Sequence, residues 1–356
     1  MYIDKLYLNN FRNYENQYFE FSPQTNIIYG MNGQGKTNII EALYFFCNGK
    51  SYRTQKDTET VKFGEKEGRI KISFDDEQRN HTGEILISEK KIVKINDIPL
   101  LKLSEIIGLI NMVIFTPDML NIIKEGPGVR RQFLDILISQ LRPVYFKTLL
   151  SYYKVLMSRN NILKSGNKAM MSTLDVWNDK LAEYGCIISK HRSDMIDMLG
   201  KEINNFSFED INENINIKYM SSIKGDFTDK ENFVKQLEKN FEREIEKGIT
   251  LTGPQRDDFD ILMDNNEIKK YGSQGQMRTC VLKMKLAECE IIKNICGRTP
   301  VLLLDDILSE LDEKRKKFFL NNIKDKQIFI TCTTKEKINS ESCRYFNIKN
   351  GNLAEE

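Results

Sequence analysis

Apolar and polar side chains alternate over residues 3–8 and 17–21, and a β-branched run follows at 25–29, so the chain opens as three strands. The period then changes: Ile39, Ile40, Leu43, Phe46 and Cys47 recur at helical spacing. Strand alternation returns over 69–74, 84–87 and 91–95, the last two joined by Ser88-Glu89-Lys90 as a hairpin. The run Met112-Val113-Ile114-Phe115 stops at Thr116-Pro117-Asp118, as a buried strand stops at a proline-marked turn. From 127 to about 200 the pattern is helical, with Phe133, Leu134, Leu137, Ile138 and Leu141 on one stripe and Leu149, Leu150, Tyr153, Leu156 and Met157 on another. Ser165-Gly166-Asn167 breaks this region, and a further long helix over 174–199 carries Trp177. No strict heptad persists for three or four repeats, so a packed helical lobe is expected and not a coiled-coil arm. Residues 230–247 read as one short charged helix, 259–263 as a strand and 264–267 as a turn. A helix bearing Met277, Cys280, Val281, Met284, Ala287, Ile291 and Ile295 follows. The apolar run 301–304, a last core strand over 327–333 and a short strand at 345–348 complete the elements.

Between the strand at 25–29 and the first helix stands Gly30-Met31-Asn32-Gly33-Gln34-Gly35-Lys36-Thr37, with the G-x-x-x-x-G-K-T spacing of a phosphate-binding loop. The glycines admit positive φ, which lets the backbone wrap closely around phosphate oxygens and turn its N–H groups inward. Lys36 is then a point charge for the β and γ phosphates, and the Thr37 hydroxyl a ligand for Mg²⁺. A helix starting near Lys36 aims its free N–H groups and its positive dipole end at the anion. A glycine-rich turn alone would spell similar residues, but strand and helix both fall where the phosphate mechanism requires them. A nucleoside triphosphate with Mg²⁺ is the expected ligand.

Four aliphatic residues, 301–304, run into Asp305-Asp306. Open α/β sheets bind ligands at the carboxyl ends of their strands, so a carboxylate leaving a buried strand arrives beside the phosphates. Asp305 would hold Mg²⁺, directly or through water, and Asp306 would polarise the attacking water. Taken alone, the pair could equally end a strand as a turn. The stretch from 37 to 305 is far more chain than one sheet edge needs, which implies an insertion. Residues 1–116 and 250–356 are expected to form one discontinuous ATPase domain, and 117–249 an inserted, mainly helical lobe. Arg12, in Asn10-Phe11-Arg12-Asn13-Tyr14, either reaches a phosphate or sits on the surface. Ser273-Gln274-Gly275-Gln276 reads as a capping box, Ser273 as N-cap and Gln276 reaching back from N3.

Composition changes this picture little, since 40% hydrophobic and 29% charged residues are ordinary globular usage. A net charge of +2 does not argue for nucleic acid by itself, so any DNA-binding face must be a local patch. No apolar run approaches the roughly 18 residues of a membrane span, and residues 1–5 carry no charged-then-apolar leader. A soluble, unexported chain in a reducing cytoplasm is expected. Seven cysteines without a C-x-x-C pair, and two histidines, support neither a disulfide frame nor a zinc site.

Ser273-Gln274-Gly275-Gln276 also resembles the signature loop of ABC-type ATPases, with Gln274 where a second glycine commonly stands. Ser309-Glu310-Leu311-Asp312 and Thr333 sit where such proteins carry their D-loop and their switch residue. With Asn10-Phe11-Arg12-Asn13-Tyr14, Ser51-Tyr52-Arg53-Thr54, Phe115-Thr116-Pro117-Asp118, Gly126-Pro127, Arg130-Arg131, Phe133-Leu134-Asp135 and Thr252-Gly253-Pro254-Gln255-Arg256-Asp257-Asp258, the sequence resembles the RecF family of bacterial recombination-repair ATPases, in the SMC-like branch of ABC ATPases. The resemblance covers nearly the whole chain. Gln255 stands where that family commonly has histidine.

The resemblance implies an α/β fold, an ABC-type P-loop ATPase head with a mixed sheet core and flanking helices, interrupted by the helical lobe. It also implies an ATP-dependent homodimer in which the Ser273–Gln276 loop binds the γ-phosphate held by the opposite subunit. Such a dimer embraces double-stranded DNA, favours junctions bordering single-stranded gaps, and works with RecR and RecO to help RecA load. Hydrolysis is slow and ATP acts mainly as a switch. An ABC transporter nucleotide-binding subunit or an SMC-type structural head would share the nucleotide motifs. The long helical insertion counts against the first, and the missing heptads against the second.

Overall fold

The computed structural model describes residues 1–76, 78–166, 171–208, 214–335 and 342–354. The chain divides into two compact units, Met1–Met119 with Lys285–Glu356, and Leu120–Met284.

In the first unit the two kinds of apolar pattern become two kinds of sheet. The alternating segments β1 (Tyr2–Phe11), β2 (Tyr14–Glu20), β4 (Gly68–Asp75), β5 (Asn80–Ile87), β6 (Ile92–Ile95) and β7 (Ile98–Pro99) pair antiparallel in the order β2-β1-β4-β5-β6-β7. One face of β4 and β5 is buried and the other partly exposed, as alternation dictates. The continuous apolar runs go elsewhere. β3 (Thr25–Tyr29), β8 (Met112–Phe115), β12 (Val301–Asp305), β13 (Ile328–Cys332) and β14 (Cys343–Lys349) form a sheet ordered β15-β14-β3-β13-β12-β8, parallel except for the hairpin strand β15 (Asn352–Leu353). Val301, Leu302, Leu303 and Leu304 are fully buried, each contributing about 1.5–3 kcal/mol by transfer from water.

α1 (Lys36–Asn48) is buried from Ile39 through Cys47 because it touches both sheets, β12 and β13 of one and β1 of the other. Gly83 of β5 permits this approach, since a Cβ there would lie 2.1 Å from the Phe46 ring. The hairpin expected between 84 and 95 is the β5–β6 pair.

The second unit contains α2 (Asn121–Lys124), α3 (Pro127–Leu141), α4 (Pro143–Ser165), α5 (Leu174–Ile203), α6 (Lys230–Lys239), α7 (Phe241–Lys247) and α8 (Ile268–Tyr271). The break expected after α4 is a left-handed cap at Gly166, φ 60°, while Asn167 lies outside the described residues. α9 (Gln274–Cys296) carries the chain into the first unit, where α10 (Glu313–Asn321) follows.

Two features of the second unit go beyond its helical pattern. The single charged helix over 230–247 is two helices parted at Asn240, whose side-chain amide donates to Thr252 Oγ1 at 2.8 Å. The second unit also runs past residue 249, to Met284. The cause is β9 (Ile215–Met220), which pairs antiparallel with β10 (Asp258–Met263) and so ties residues after 250 to the helices; β11 (Asn266–Glu267) completes that sheet.

The blocks at 130–135 and 252–258 act as internal fasteners. Arg130 grips Asp258 through Nε at 2.6 Å and Nη2 at 2.9 Å. Arg192 of α5 forks onto Asp135 and donates to the Pro254 carbonyl at 2.7 Å. Asp257 accepts from the Ser222 N–H at 2.7 Å, from Ser189 Oγ at 3.2 Å and from the Tyr219 hydroxyl. Such pairs satisfy one another's desolvated charge, so losing one partner costs far more than the pair contributes. Gln255 takes the Tyr152 hydroxyl at its side-chain oxygen, a contact in which its amide acts as acceptor.

Candidate nucleotide-phosphate site

The glycine-rich loop leaves β3 and turns straight into α1, and its conformation is held by neighbours on two sides. Gly30 lies at φ 148° against the Ile348 carbonyl, 2.4 Å from where a Cβ would stand. Gly35, at φ 115°, packs on Asn13, whose amide would be 2.7 Å from such a Cβ. Asn13 Nδ2 donates to the Gln34 carbonyl at 2.9 Å, the Tyr14 hydroxyl to the Gly35 carbonyl at 3.0 Å, and the Gly351 N–H to the Gln34 carbonyl at 3.0 Å. The β1–β2 turn and the β14–β15 turn therefore grip the loop. α1 has no side-chain cap and no acidic residue in its first turn, which leaves its N-terminal donors and dipole unopposed for an anion.

Lys36 Nζ lies back over the loop, donating to the Gly30 carbonyl at 2.6 Å and the Met31 carbonyl at 2.9 Å. Burial pulls its pKa down, against the opposing pull of Asp306, Cys332 and Asp305.

The acidic strand end meets the loop in the same unit. β13 stands between β3 and β12, so its residue Thr331 faces the end of β12. Asp305 Oδ1 accepts from Thr37 Oγ1 at 2.8 Å and from Thr331 Oγ1 at 2.9 Å, and Oδ2 accepts from the Tyr52 hydroxyl at 3.0 Å. Asp306 follows at φ 52°, its N–H donating to Thr331 Oγ1 at 2.8 Å, and Ser309 Oγ donates to the Asp306 carbonyl at 2.8 Å. Asn32, Gly33, Gly35, Lys36, Thr37, Asn38, Arg53, Asp306 and Thr331 line a cleft of about 370 Å³, within the size range of small-ligand sites. The touching Thr37 hydroxyl and Asp305 carboxylate are hard oxygen donors, the kind Mg²⁺ takes alongside phosphate oxygens, so the residues fit that ion.

Of the residues singled out in the sequence, Gly30 through Thr37, Asp305 and Asp306 come together here. Arg12 is partly buried and bonded to a neighbouring helix. It sits at φ 54° and forks onto the fully buried Glu41 of α1, Nε to Oε2 at 2.9 Å and Nη2 to Oε1 at 2.6 Å, because a buried carboxyl group needs hydrogen-bond partners. Thr333, just beyond β13, is exposed. Ser273, Gln274, Gly275 and Gln276 belong to the second unit, at the start of α9. There the capping box is closed, the Ser273 N–H donating to Gln276 Oε1 at 2.8 Å and the Gln276 N–H to Ser273 Oγ at 3.2 Å.

Sequence reasoning missed Glu41, Tyr52, Arg53 and Thr331 as parts of this site. Glu41 binds Arg53 Nη1 at 3.0 Å as well as Arg12, and Arg53 also donates to Asn38 at 2.8 Å. A charged residue between Ile40 and Ala42, inside an apolar helix, was the available signal. Among the described residues no helix is long and apolar enough to cross a membrane.

Comparison with known proteins places this geometry in context. The RecF/RecN/SMC N terminal domain family matches residues 2–352. A DNA replication and repair protein RecF from Clostridium botulinum (strain Okra / Type B1) is 42% identical over 344 residues, 95% of this chain and 94% of that protein. A solved structure of the recombination mediator protein RecF-ATPrS in the RecFOR pathway superposes with a TM-score of 0.92 at 36% identity, covering 99% of this chain and 97% of its own. The Smc head domain of Pyrococcus furiosus, at 16% identity and a TM-score of 0.57, shares the fold alone.

Proposed function

Because the chain belongs to the RecF family of DNA replication and repair proteins, we propose that it binds Mg²⁺ and ATP in the cleft between the glycine-rich loop and the end of β12, and uses ATP as the switch of a DNA-binding repair protein. The observation that carries this reading is the 2.8 Å hydrogen bond from Thr37 to Asp305, which joins the two halves of a phosphate site across the full length of the insertion. In the bound state Lys36 leaves the Gly30 and Met31 carbonyls for the β and γ phosphates, while Thr37 and Asp305 hold Mg²⁺. The ion offsets phosphate charge. Asp306 orients and polarises the attacking water in a slow hydrolysis.

The family's assembly extends the reading beyond one chain. Two copies pair as a twofold dimer, each offering the Ser273–Gln276 loop at the start of α9 to the ATP of the other, with Thr333 and the Ser309–Asp312 segment close to that contact. ATP then favours the dimer by mass action. The dimer takes double-stranded DNA and single-strand/double-strand junctions, acting with RecR and RecO toward RecA loading in the cytoplasm. Arg12 serves from outside the cleft, as half of the clamp on Glu41.

Equilibrium ATP binding by the Lys36→Ala variant tests the site. The turn can still form without the lysine, so binding is expected to be lost while the fold is kept; parent-like affinity would end the phosphate-loop assignment. Retention on duplex DNA, measured over a salt series with and without ATP, tests the rest.

A further inference from the structure

We infer that Tyr52 is a positioning residue for the Asp305 carboxylate, fixing which of its two oxygens is offered to a divalent cation carried with a nucleoside triphosphate. The inference rests on the nucleotide reading above. Asp305 ends a strand buried along its whole length, and its oxygens have different company. Oδ1 receives the Thr37 and Thr331 hydroxyls at 2.8 and 2.9 Å, whereas Oδ2 receives the Tyr52 hydroxyl at 3.0 Å. The two oxygens are chemically equal, and the terminal torsion of an aspartate is broad and two-fold, so nothing in the residue itself selects one of them. An anchor on one oxygen makes the selection. With Oδ2 held by Tyr52, Oδ1 is the oxygen that stays beside Thr37, and a Thr37 hydroxyl that turns its proton away to bind the ion would release one Oδ1 lone pair to the same ion.

Tyr52 is built to be such an anchor. Its ring meets Tyr44 of α1 edge-on, centroids 5.1 Å apart at 74°. Its neighbours are pinned to the same helix: the Ser51 hydroxyl donates to Glu41, and Arg53 donates to Glu41 at 3.0 Å and to Asn38 at 2.8 Å. Residues 51–53 thus strap the helix that follows the phosphate loop to the strand end that faces it. Groups that hold metal-ligating carboxylates commonly set metal affinity by 10–100-fold, which is the kind of effect at issue.

The test is binding of a fluorescent ATP analogue by the full chain, titrated with magnesium chloride, with an EDTA arm for metal-free affinity. Tyr52→Phe keeps the ring on Tyr44 and removes only the donor. The expected result is a half-saturating magnesium concentration about ten-fold higher than the parent's, with metal-free affinity much less affected and a melting temperature lowered only as the loss of one hydrogen bond to Asp305 requires. An unchanged magnesium titration overturns the inference, as does an equal loss of affinity with and without the ion, which would make Tyr52 a wall of the cleft. If the parent itself fails to bind the analogue, the nucleotide reading fails first and takes this one with it. A parent that binds in a magnesium-dependent way, beside a variant that behaves identically, sinks the role of Tyr52 alone.

Discussion

The backbone N–H of Asp306 donates to the Thr331 hydroxyl at 2.8 Å, and Asp306 stands there in the left-handed region, at φ 52°. Aspartate is one of the few residues that visits this region readily, yet such a conformation persists only where its surroundings over-determine it. Here the same Thr331 hydroxyl donates onward to Asp305 Oδ1 at 2.9 Å, so one side chain of β13 holds the Asp305 carboxylate and the Asp306 backbone.

Thr331→Val keeps the shape and β propensity of that position while removing the hydroxyl. The Asp306 N–H then loses its acceptor and Asp305 loses a donor in a buried setting, at about 1–3 kcal/mol of stability. A lower melting temperature together with slower ATP turnover is expected. A variant that melts lower but turns over ATP at the parental rate would show that Thr331 serves the fold only.

Asp305→Asn and Asp306→Asn are expected to separate. Asparagine tolerates the left-handed region as aspartate does, so Asp306→Asn keeps the backbone and loses the charge that polarises water. Its ATP binding should match the parent while single-turnover hydrolysis slows by about 10²-fold. Asp305→Asn should instead demand more magnesium for binding. Equal hydrolysis by both variants and the parent would make this strand end purely structural.

Glu41→Ala leaves the Arg12 and Arg53 guanidiniums without their shared carboxylate, one of them largely buried. Breaking such a cluster from the acidic side costs about 3–5 kcal/mol for buried pairs and less here, since the Arg53 side chain is 41% exposed. Thermal unfolding reads the loss, and Glu41→Gln, which keeps the acceptor oxygen, should recover part of it. A melting curve for Glu41→Ala that overlays the parent's would rule out the clamp.

Ser273→Arg opens the capping box and sets a bulky cation at the start of α9. If that loop acts on the ATP of a second copy, the variant binds ATP as a monomer but does not dimerise on it. Sedimentation with a non-hydrolysable analogue decides, and a variant that dimerises like the parent would leave the loop with its capping role alone.

The phosphate loop and the acidic strand end were legible because each concentrates its chemistry in adjacent residues. The apolar patterns follow the sheets in part, alternating in β4, where one face is open, and continuous in β12, where both are covered, while β14 alternates inside the parallel sheet. What escaped was partnership. Tyr52 and Thr331 carry no local mark of their bonds to Asp305, which lies 253 and 26 residues away in sequence. The reach of the second unit past 250 was hidden for the same reason: β10 looks like any strand until β9 is known to pair with it. The alternation of Ile215-Asn216-Ile217-Lys218-Tyr219 was visible but went unread.

The order of strands around β3 also governs when the site can exist. Its neighbours are β13 on one side and β14 on the other, and the loop that leaves it is gripped by Gly351. As the ribosome delivers the chain from its N-terminus, the glycine-rich loop emerges early, but both flanks of β3 remain open until the last strands arrive. An apolar strand waits unpaired while residues 30–327 are made, exposed to aggregation and to chaperones. Nucleotide binding should therefore appear late and abruptly: stalled nascent chains ending before Ile328 should not retain an ATP analogue, whereas chains with residues 1–354 outside the tunnel should. Retention by the shorter chains would mean that the loop folds without its sheet.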